Sequence, residues 1–297
     1  MPFASTKTCP IIFADDTNLF ISDKSVENAI KSMNTELKNV TAWFRANKLS
    51  LNVDKTKFSI FHSKMRKLPP NISKLFVDGT EIKRETVTKF LGVYIDERLT
   101  WKSHINNITK IISKNIGILY SARNNLFKQH LKQLYFSFIH SYLNYCNIAW
   151  ASTYKSSLTS IFRRQKHAIR VINNKDRFTS SQPLFIEDRV LDVYSLNIFQ
   201  VLCMVYKCKE KSSPRIFHHI YAKKTPNKYS SRQMDELYVP FSATRSSDFC
   251  LSNRGPCMWN AIVVRNQDLL QAPNLSIFKR KLKKVLLESK GIVDTYF

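Results

Sequence analysis

Two adjacent aspartates, Asp15 and Asp16, stand between the apolar residues 11–14 and a second apolar run, residues 19–21. Neighbouring carboxylates repel each other, and a shared cation would offset that repulsion. Mg²⁺ prefers hard oxygen ligands and commonly takes one or two carboxylates together with substrate phosphates. In a two-metal centre such carboxylates support phosphoryl transfer. An ordinary Asp-Asp turn is the alternative that the spacing alone leaves open.

The residues around the aspartates predict a hairpin followed by a helix. Residues 9–14 and 17–22 are rich in Ile and Phe, which indicates two strands joined through Asp15-Asp16. The next apolar residues recur at alternating steps of four and three and predict a helix over residues 25–46. The carboxylates are therefore expected at a hairpin tip, flanked by a helix that packs on a sheet.

Short strands are predicted for the rest of the N-terminal region. Alternating apolar residues indicate one strand at 49–53 and another at 58–61. Asp78-Gly79 between extended flanks is a strong hairpin signal. A further extended segment, 86–96, ends the β-rich region, so that residues up to about 97 predict an α+β domain.

Beyond residue 97 the apolar pattern becomes helical. Stripes at helical spacing predict helices over 101–119 and 158–172, a further helix over about 190–208, and a last one around 278–286. Another helical stripe lies between the first two, and its apolar positions are Leu131, Leu134, Tyr135, Phe138 and Tyr142. Residues 173–189 contain Asn, Ser and Pro and are predicted to form a linker.

The charge of the chain points to a polyanionic partner. Its 297 residues include 47 Lys and Arg against 22 Asp and Glu, a formal net charge of +25 spread along the whole sequence. Nucleic acid is the leading candidate. The predicted helix over 158–172 carries Arg163, Arg164, Lys166 and Arg170. These residues would suit contact with a phosphate backbone, and they would equally suit an ordinary solvated helix face.

The sequence indicates an intracellular protein, in the nucleus or the cytoplasm, rather than a secreted one. No apolar run approaches the ~20 residues of a spanning helix, and no secretion signal is recognisable, so no membrane partner is expected. The six cysteines form no CxxC pair, which predicts reduced thiols rather than disulfides.

Several motifs, in one order, resemble those of a known polymerase family. Phe13-Ala14-Asp15-Asp16 resembles the aromatic-x-Asp-Asp motif of reverse transcriptases, and FADDTNLF is typical of the non-LTR retrotransposon branch, the LINE-type or jockey-like elements. Residues 47–61 and 89–96 resemble the next two palm motifs of that family. Residues 101–124 resemble its helical thumb. The segments similar to the region that follows the thumb are 162–172, 229–232, 255–262 and 275–287.

The resemblance implies a polymerase architecture and activity. It implies an α+β fold with the C-terminal half of a palm at residues 1–97, a helical thumb at 98–175, and a helical basic C-terminal region at 183–297. The implied activity is that of an RNA-directed DNA polymerase, with an RNA template and a DNA primer or RNA–DNA hybrid as partners. The implied cofactor is Mg²⁺, with Mn²⁺ as an alternative.

The resemblance also assigns roles to individual residues. Asp15 would bind the metal directly and Asp16 would be its neighbour in the site. Lys55 would protonate the pyrophosphate leaving group, with Lys57 as the alternative. The primer end would be positioned by the segment Phe90, Leu91 and Gly92.

One departure from the family pattern qualifies these expectations. Members of the family carry another catalytic aspartate on a strand well upstream, together with template-holding fingers, whereas 14 residues precede Asp15 here. The chain is therefore expected to be a fragment that is inactive without an N-terminal polymerase or endonuclease portion, with an uncovered apolar edge at residues 11–13. A non-catalytic nucleic-acid-binding module and a degraded mobile-element remnant are the alternatives.

Overall fold

The computed structural model describes residues 7–63, 65–70, 72–218, 220–221, 235–242 and 245–288. The chain divides into two compact units, Met1–Thr100 and Trp101–Phe297. The first unit combines short strands with one long helix, and the second is helical. The predicted α+β class is confirmed, whereas the division of the second unit near residues 175–183 stays a prediction.

The first unit contains four small two-stranded sheets among its described residues. The strands are β1 (Cys9–Phe13), β2 (Asp16–Phe20), β3 (Lys57–Phe58), β4 (Phe76–Val77), β5 (Thr80–Glu81), β6 (Lys83–Arg84), β7 (Val87–Phe90) and β8 (Val93–Asp96). Three sheets are antiparallel hairpins, β1-β2, β4-β5 and β7-β8, and β3 pairs with β6 in parallel.

The long helix of the first unit, α1 (Val26–Ala46), agrees with the predicted span 25–46. The side chain of its N-cap, Ser25, accepts a hydrogen bond from the backbone N–H of Asn28 and so satisfies one of the otherwise unpaired donors of the first turn. Its apolar stripe buries Ile30 and Leu37 in a small core that also contains Val77 of β4. The helix therefore covers one side of the strands, as the periodicity predicts.

Two of the predicted strands in this unit are wrong or shorter than expected. Residues 49–53 form no strand, because the Asn52 side chain accepts a hydrogen bond from the backbone N–H of Lys55 and begins a 3₁₀ turn, Val53–Lys55. Such local side-chain bonding competes with strand pairing. Of residues 58–61, only Phe58 lies in a strand. The hairpin with Asp78-Gly79 at its turn is confirmed.

The second unit is built from eleven α-helices among its described residues. They are α2 (Lys102–Ala122), α3 (Lys128–Tyr135), α4 (Ser141–Asn144), α5 (Asn147–Trp150), α6 (Lys155–Ile172), α7 (Gln182–Glu187), α8 (Val193–Lys209), α9 (Arg245–Asp248), α10 (Leu251–Met258), α11 (Gln267–Leu270) and α12 (Leu275–Glu288). In this described part of the chain, as in the first unit, no helix has the length and apolarity needed to cross a bilayer.

One continuous core joins the helices of the second unit. It reaches from Ile105 on α2 to Leu286 on α12, and α2 packs along α6. Helix α8 is buried on most sides. The predicted linker, residues 173–189, is wrong in part because α7 forms within it, with Pro183 in the first turn, where a helix needs no N–H donor.

Helix α3 continues into α4 through a π-helical turn, Phe136–His140, in which the N–H of Ser141 donates to the Phe136 carbonyl five residues back. The sequence predicts an ordinary helix here, with Phe138 and Tyr142 in the buried stripe. The structure instead buries Ile139 and Leu143 and leaves Phe138 and Tyr142 exposed. The wider turn shifts the helix register by about one residue, which moves the buried face.

Candidate functional site

The paired aspartates lie at the end of the first hairpin. Phe13 pairs with Asp16, so the two-residue turn consists of Ala14 and Asp15, and Asp16 belongs to strand β2. This corrects the expected turn, Asp15-Asp16, by one position. Ala14 adopts a positive φ of 52°, the left-handed region that L residues other than Gly rarely adopt, so the turn is tight.

The hairpin is exposed on much of its surface. Ile11, Ile12 and Phe13 are 44%, 50% and 60% exposed, and β1 pairs only with β2 among the described residues. The expectation of an uncovered apolar edge is confirmed by these exposures. Asp15 and Asp16 are exposed as well, so both carboxylates can be reached by a ligand.

The two carboxylates suit a hard cation but supply few ligands. Asp15 and Asp16 offer oxygen donors of the kind that Mg²⁺ prefers, with water and phosphate oxygens to complete its shell. Among the residues that the structure describes, no group of three or more His, Cys, Asp or Glu side chains could hold a metal ion. The donor set therefore fits one Mg²⁺ and does not by itself fit a two-metal centre.

The two candidate lysines differ in their surroundings. Lys57 forms an ion pair with Glu85, Nζ to Oε1 3.0 Å, and this pairing with Lys57 is the main cause that lowers the pKa of the Glu85 carboxyl. Lys55 ends the 3₁₀ turn and has no ion-pair partner in the described part of the chain. Its ammonium group is the more available of the two. No hydrogen bond or ion pair between described residues joins Lys55 to either aspartate.

The segment predicted to hold the primer forms a tight turn. Phe90 pairs with Val93, and the two residues between them, Leu91 and Gly92, have φ values of 44° and 83°. Positive φ at both central positions is the signature of a type I′ turn, in which Gly is favoured. The turn therefore presents the Leu91 side chain at the end of the β7-β8 hairpin.

The four basic residues of the predicted helix over 158–172 lie on α6, and their surroundings differ. Arg163 and Arg164 are exposed. Lys166 lies over the Phe162 ring, 4.8 Å from its centroid, and Arg170 donates from Nε to the Thr179 carbonyl, 2.7 Å away. Arg163 and Arg164 are thus available to a ligand, whereas Arg170 holds the loop that follows α6.

The sequence also carries a charge signal that is independent of any motif. Residues 98–175 contain 13 Lys and Arg and no Asp or Glu. The segment comprises α2 to α6. Such a long stretch without a carboxylate gives these helices a positive field that no side chain within the segment cancels, which favours a polyanion.

Comparison with known proteins gives one informative match. A Drosophila melanogaster protein described as "Probable RNA-directed DNA polymerase from transposon X-element" is 20% identical over 236 residues, which is 78% of this chain and 25% of that protein. The chain is related to a retrotransposon reverse transcriptase. It spans about a quarter of the length of this curated relative. No protein-family model matches the chain, and no solved structure matches it significantly.

This relationship confirms the resemblance to non-LTR retrotransposon reverse transcriptases that the motifs indicate. It does not test the roles of Asp15, Asp16, Lys55, the 90–92 turn or the α6 cations, which stay predictions. Of the segments that carry the resemblance, 229–232 lies outside the described residues. The segment 255–262 falls on α10 and the π-helical turn after it, and 275–287 falls on α12.

Proposed function

We propose that this chain forms part of an RNA-directed DNA polymerase of a non-LTR retrotransposon. Residues 1–97 would be the C-terminal half of the palm, 98–175 the thumb, and 183–297 the basic C-terminal region. The observation that carries the proposal is the Asp15-Asp16 hairpin, in a chain related to a retrotransposon polymerase. Its partners would be an RNA template and a DNA primer or RNA–DNA hybrid.

The chain's own residues would then divide the work of nucleotidyl transfer. Asp15 and Asp16 would hold Mg²⁺, which would supply charge stabilisation to the phosphoryl oxygens when bound. Lys55 would donate a proton to the pyrophosphate leaving group. The turn at Leu91 and Gly92 would orient the primer end.

The described carboxylates also set a limit on activity. Two Mg²⁺ ions a few ångströms apart need several carboxylate oxygens to offset their mutual repulsion, and one adjacent pair is too few. We infer that a further carboxylate from another segment of the polymerase completes the site. The β1-β2 hairpin supports this, because β1 pairs only with β2 among the described residues and leaves an edge that another strand could join.

Mg²⁺-dependent primer extension on an RNA template tests the proposal. We expect no extension by the 297-residue chain alone, and extension after a polymerase segment with a further strand aspartate is joined to its N-terminus. Extension by the chain alone would contradict the need for a third carboxylate. An inactive joined protein that still binds template and primer would favour the second candidate.

That second candidate is a nucleic-acid-binding module without catalysis. It is favoured by the acid-free basic segment 98–175 and by the exposure of Arg163 and Arg164. The Mg²⁺ requirement separates the two, because binding through phosphate contacts does not need the aspartates. An Asp15→Asn variant of the joined protein would keep its affinity for nucleic acid under both candidates and would lose extension only under the first.

A further inference from the structure

Three aromatic side chains form an exposed stripe where α3 passes into α4. Phe138, Tyr142 and Tyr145 are 39%, 42% and 52% exposed. Phe138 lies in the π-helical turn, Tyr142 lies four residues later in α4, and Tyr145 is the residue at which α4 ends. The π-helical turn brings Phe138 and Tyr142 to the surface, since it moves the buried positions to Ile139 and Leu143. We refer to Phe138, Tyr142 and Tyr145 as the aromatic stripe.

The backbone under the aromatic stripe is fixed at both ends. At the first end, the amide of Asn115 on α2 donates to the Phe138 carbonyl. At the other, the indole Nε1 of Trp150 donates to the Tyr145 carbonyl, 2.7 Å away, and Trp150 itself is fully buried. The rings therefore project from a rigid support, so a ligand would lose little entropy in ordering them.

The charge around the aromatic stripe selects the kind of ligand. It lies inside the segment 98–175, which has 13 basic residues and no acidic one. Helix α2, whose Asn115 contacts the stripe, also presents Lys110 and Lys114 to solvent. Exposed rings in a segment that carries lysines and no carboxylate suit a polyanion that carries flat apolar groups.

We propose that the aromatic stripe binds single-stranded nucleic acid by stacking its rings on unpaired bases, while Lys110 and Lys114 attract the phosphates. This inference rests on the proposed nucleic-acid function and adds the surface and the single-stranded form of the ligand. Base stacking on aromatic side chains tolerates any sequence, because every base has a π-face. Binding should therefore show little sequence preference.

The number of rings in the stripe limits the number of bases that it contacts. Each exposed ring can stack on one unpaired base, so three rings suit two or three bases. The bases of a duplex already stack on each other and leave no free face for a ring. Duplex nucleic acid should therefore bind through its phosphates alone and gain nothing from the rings.

Fluorescence anisotropy with labelled oligouridine of about 12 nucleotides tests the proposal on the full chain. Each of Phe138→Leu and Tyr142→Leu should weaken binding about tenfold, since leucine keeps the apolar contact and removes the ring. Tyr142→Phe should bind like the parent. An abasic oligomer of the same length should bind the parent and both leucine variants equally.

Phe178→Leu is the matched control, because Phe178 is 86% exposed beside the basic Arg177 and lies outside the stripe. It should leave the affinity unchanged. Leucine variants that bind oligouridine like the parent would overturn the stacking proposal and leave the proposed function intact. Variants that retain affinity but no longer self-associate would overturn it in favour of a second copy of this chain. A parent that binds no nucleic acid would refute both proposals.

Discussion

Phe13 and Asp16 are cross-strand partners at the last rung of the β1-β2 hairpin. Cross-strand partners project to the same face of a sheet, so the Asp16 carboxylate lies beside an exposed phenyl ring, while Asp15 lies in the turn. On the same face, Ile11 pairs with Asn18. The hairpin thus has a carboxylate and an exposed apolar surface side by side on one face.

The apolar face of the hairpin should drive self-association of the isolated chain. Replacing Ile11 by Lys puts a charge on this face and should shift the chain towards monomer in sedimentation velocity, with little change in the free energy of unfolding, because Ile11 is 44% exposed. Asn39→Lys on the exposed side of α1 adds the same charge elsewhere and should change nothing. A monomeric parent chain would contradict this prediction.

We expect Arg163 and Arg164 of α6 to contribute to nucleic-acid binding and Arg170 of α6 to contribute to stability. Arg163→Gln with Arg164→Gln should lower nucleic-acid affinity at low salt and reduce the slope of log K against log salt by roughly 0.7 to 0.9 for each phosphate that is no longer neutralised. Lys38→Gln, an exposed lysine on α1, is the charge-matched control for each single change. Filter binding over a salt series measures both effects. A slope equal to that of the parent would remove Arg163 and Arg164 from the interface.

Arg170 should behave differently because its guanidinium donates to the Thr179 carbonyl. Arg170→Ala leaves this partly buried carbonyl without its charged donor, and the free energy of unfolding should fall by about 1–2 kcal/mol. Urea denaturation measures the change, with Arg163→Ala as the comparison that should stay near the parent. Equal stability of the two variants would mean that water replaces the guanidinium at no cost.

Acid should destabilise the second unit through His140. Burial and the nearby Lys283 lower the pKa of this histidine from 6.5 to about 4. The unfolded chain therefore binds a proton that the folded chain does not, and stability is lost as the pH falls from about 6.5 towards 4. The difference between the two pKa values corresponds to an upper limit of about 3 kcal/mol.

The histidine contribution can be isolated by substitution. His140→Asn should flatten the stability profile between pH 6.5 and about 4 relative to the parent, whereas His130→Asn at an exposed position of α3 should not. Urea denaturation across this pH range supplies the comparison. Parallel profiles for the parent and His140→Asn would contradict the assignment.

Regular periodicity made much of the fold predictable. One face of each of the helices α1 and α2 packs against a core. The apolar spacing in α1, and the apolar stripe of α2 from Ile105 to Leu119, therefore predict both the helix and its buried face. The hairpin at Asp78-Gly79 follows from local turn chemistry. These elements need no distant partner to be recognised.

The errors arise where a tertiary contact or a local side-chain hydrogen bond overrides the apolar pattern. Regular helical spacing predicts that the apolar residue at position 138 is buried. The π-helical turn, to which Asn115 of another helix donates a hydrogen bond, moves this residue to the surface. The missing strand at 49–53 has a different cause, because the local hydrogen bond from the Lys55 N–H to the Asn52 side chain competes with strand pairing. The aspartates were found because a motif marks them, whereas the exposed rings carry no motif.

The last prediction concerns the two lysines of the first unit in an active polymerase that contains this chain. Glu85 pairs with Lys57, which leaves Lys55 as the ammonium group available to the leaving pyrophosphate. Lys55→Ala should therefore lower the rate of primer extension by about 10²-fold, the usual scale for one general acid, with little change in KM. Lys57→Ala should reduce the rate far less and should change the stability of the fold only slightly, as expected for a partly exposed ion pair.

Asp15→Asn serves as the reference for a complete loss of activity. The amide preserves the shape of the carboxylate and removes its charge, so the rate of primer extension should fall by several orders of magnitude. Glu27→Gln, an exposed carboxylate on α1, should leave the rate unchanged. A Lys57→Ala variant that loses the rate while Lys55→Ala keeps it would exchange the roles of the two lysines.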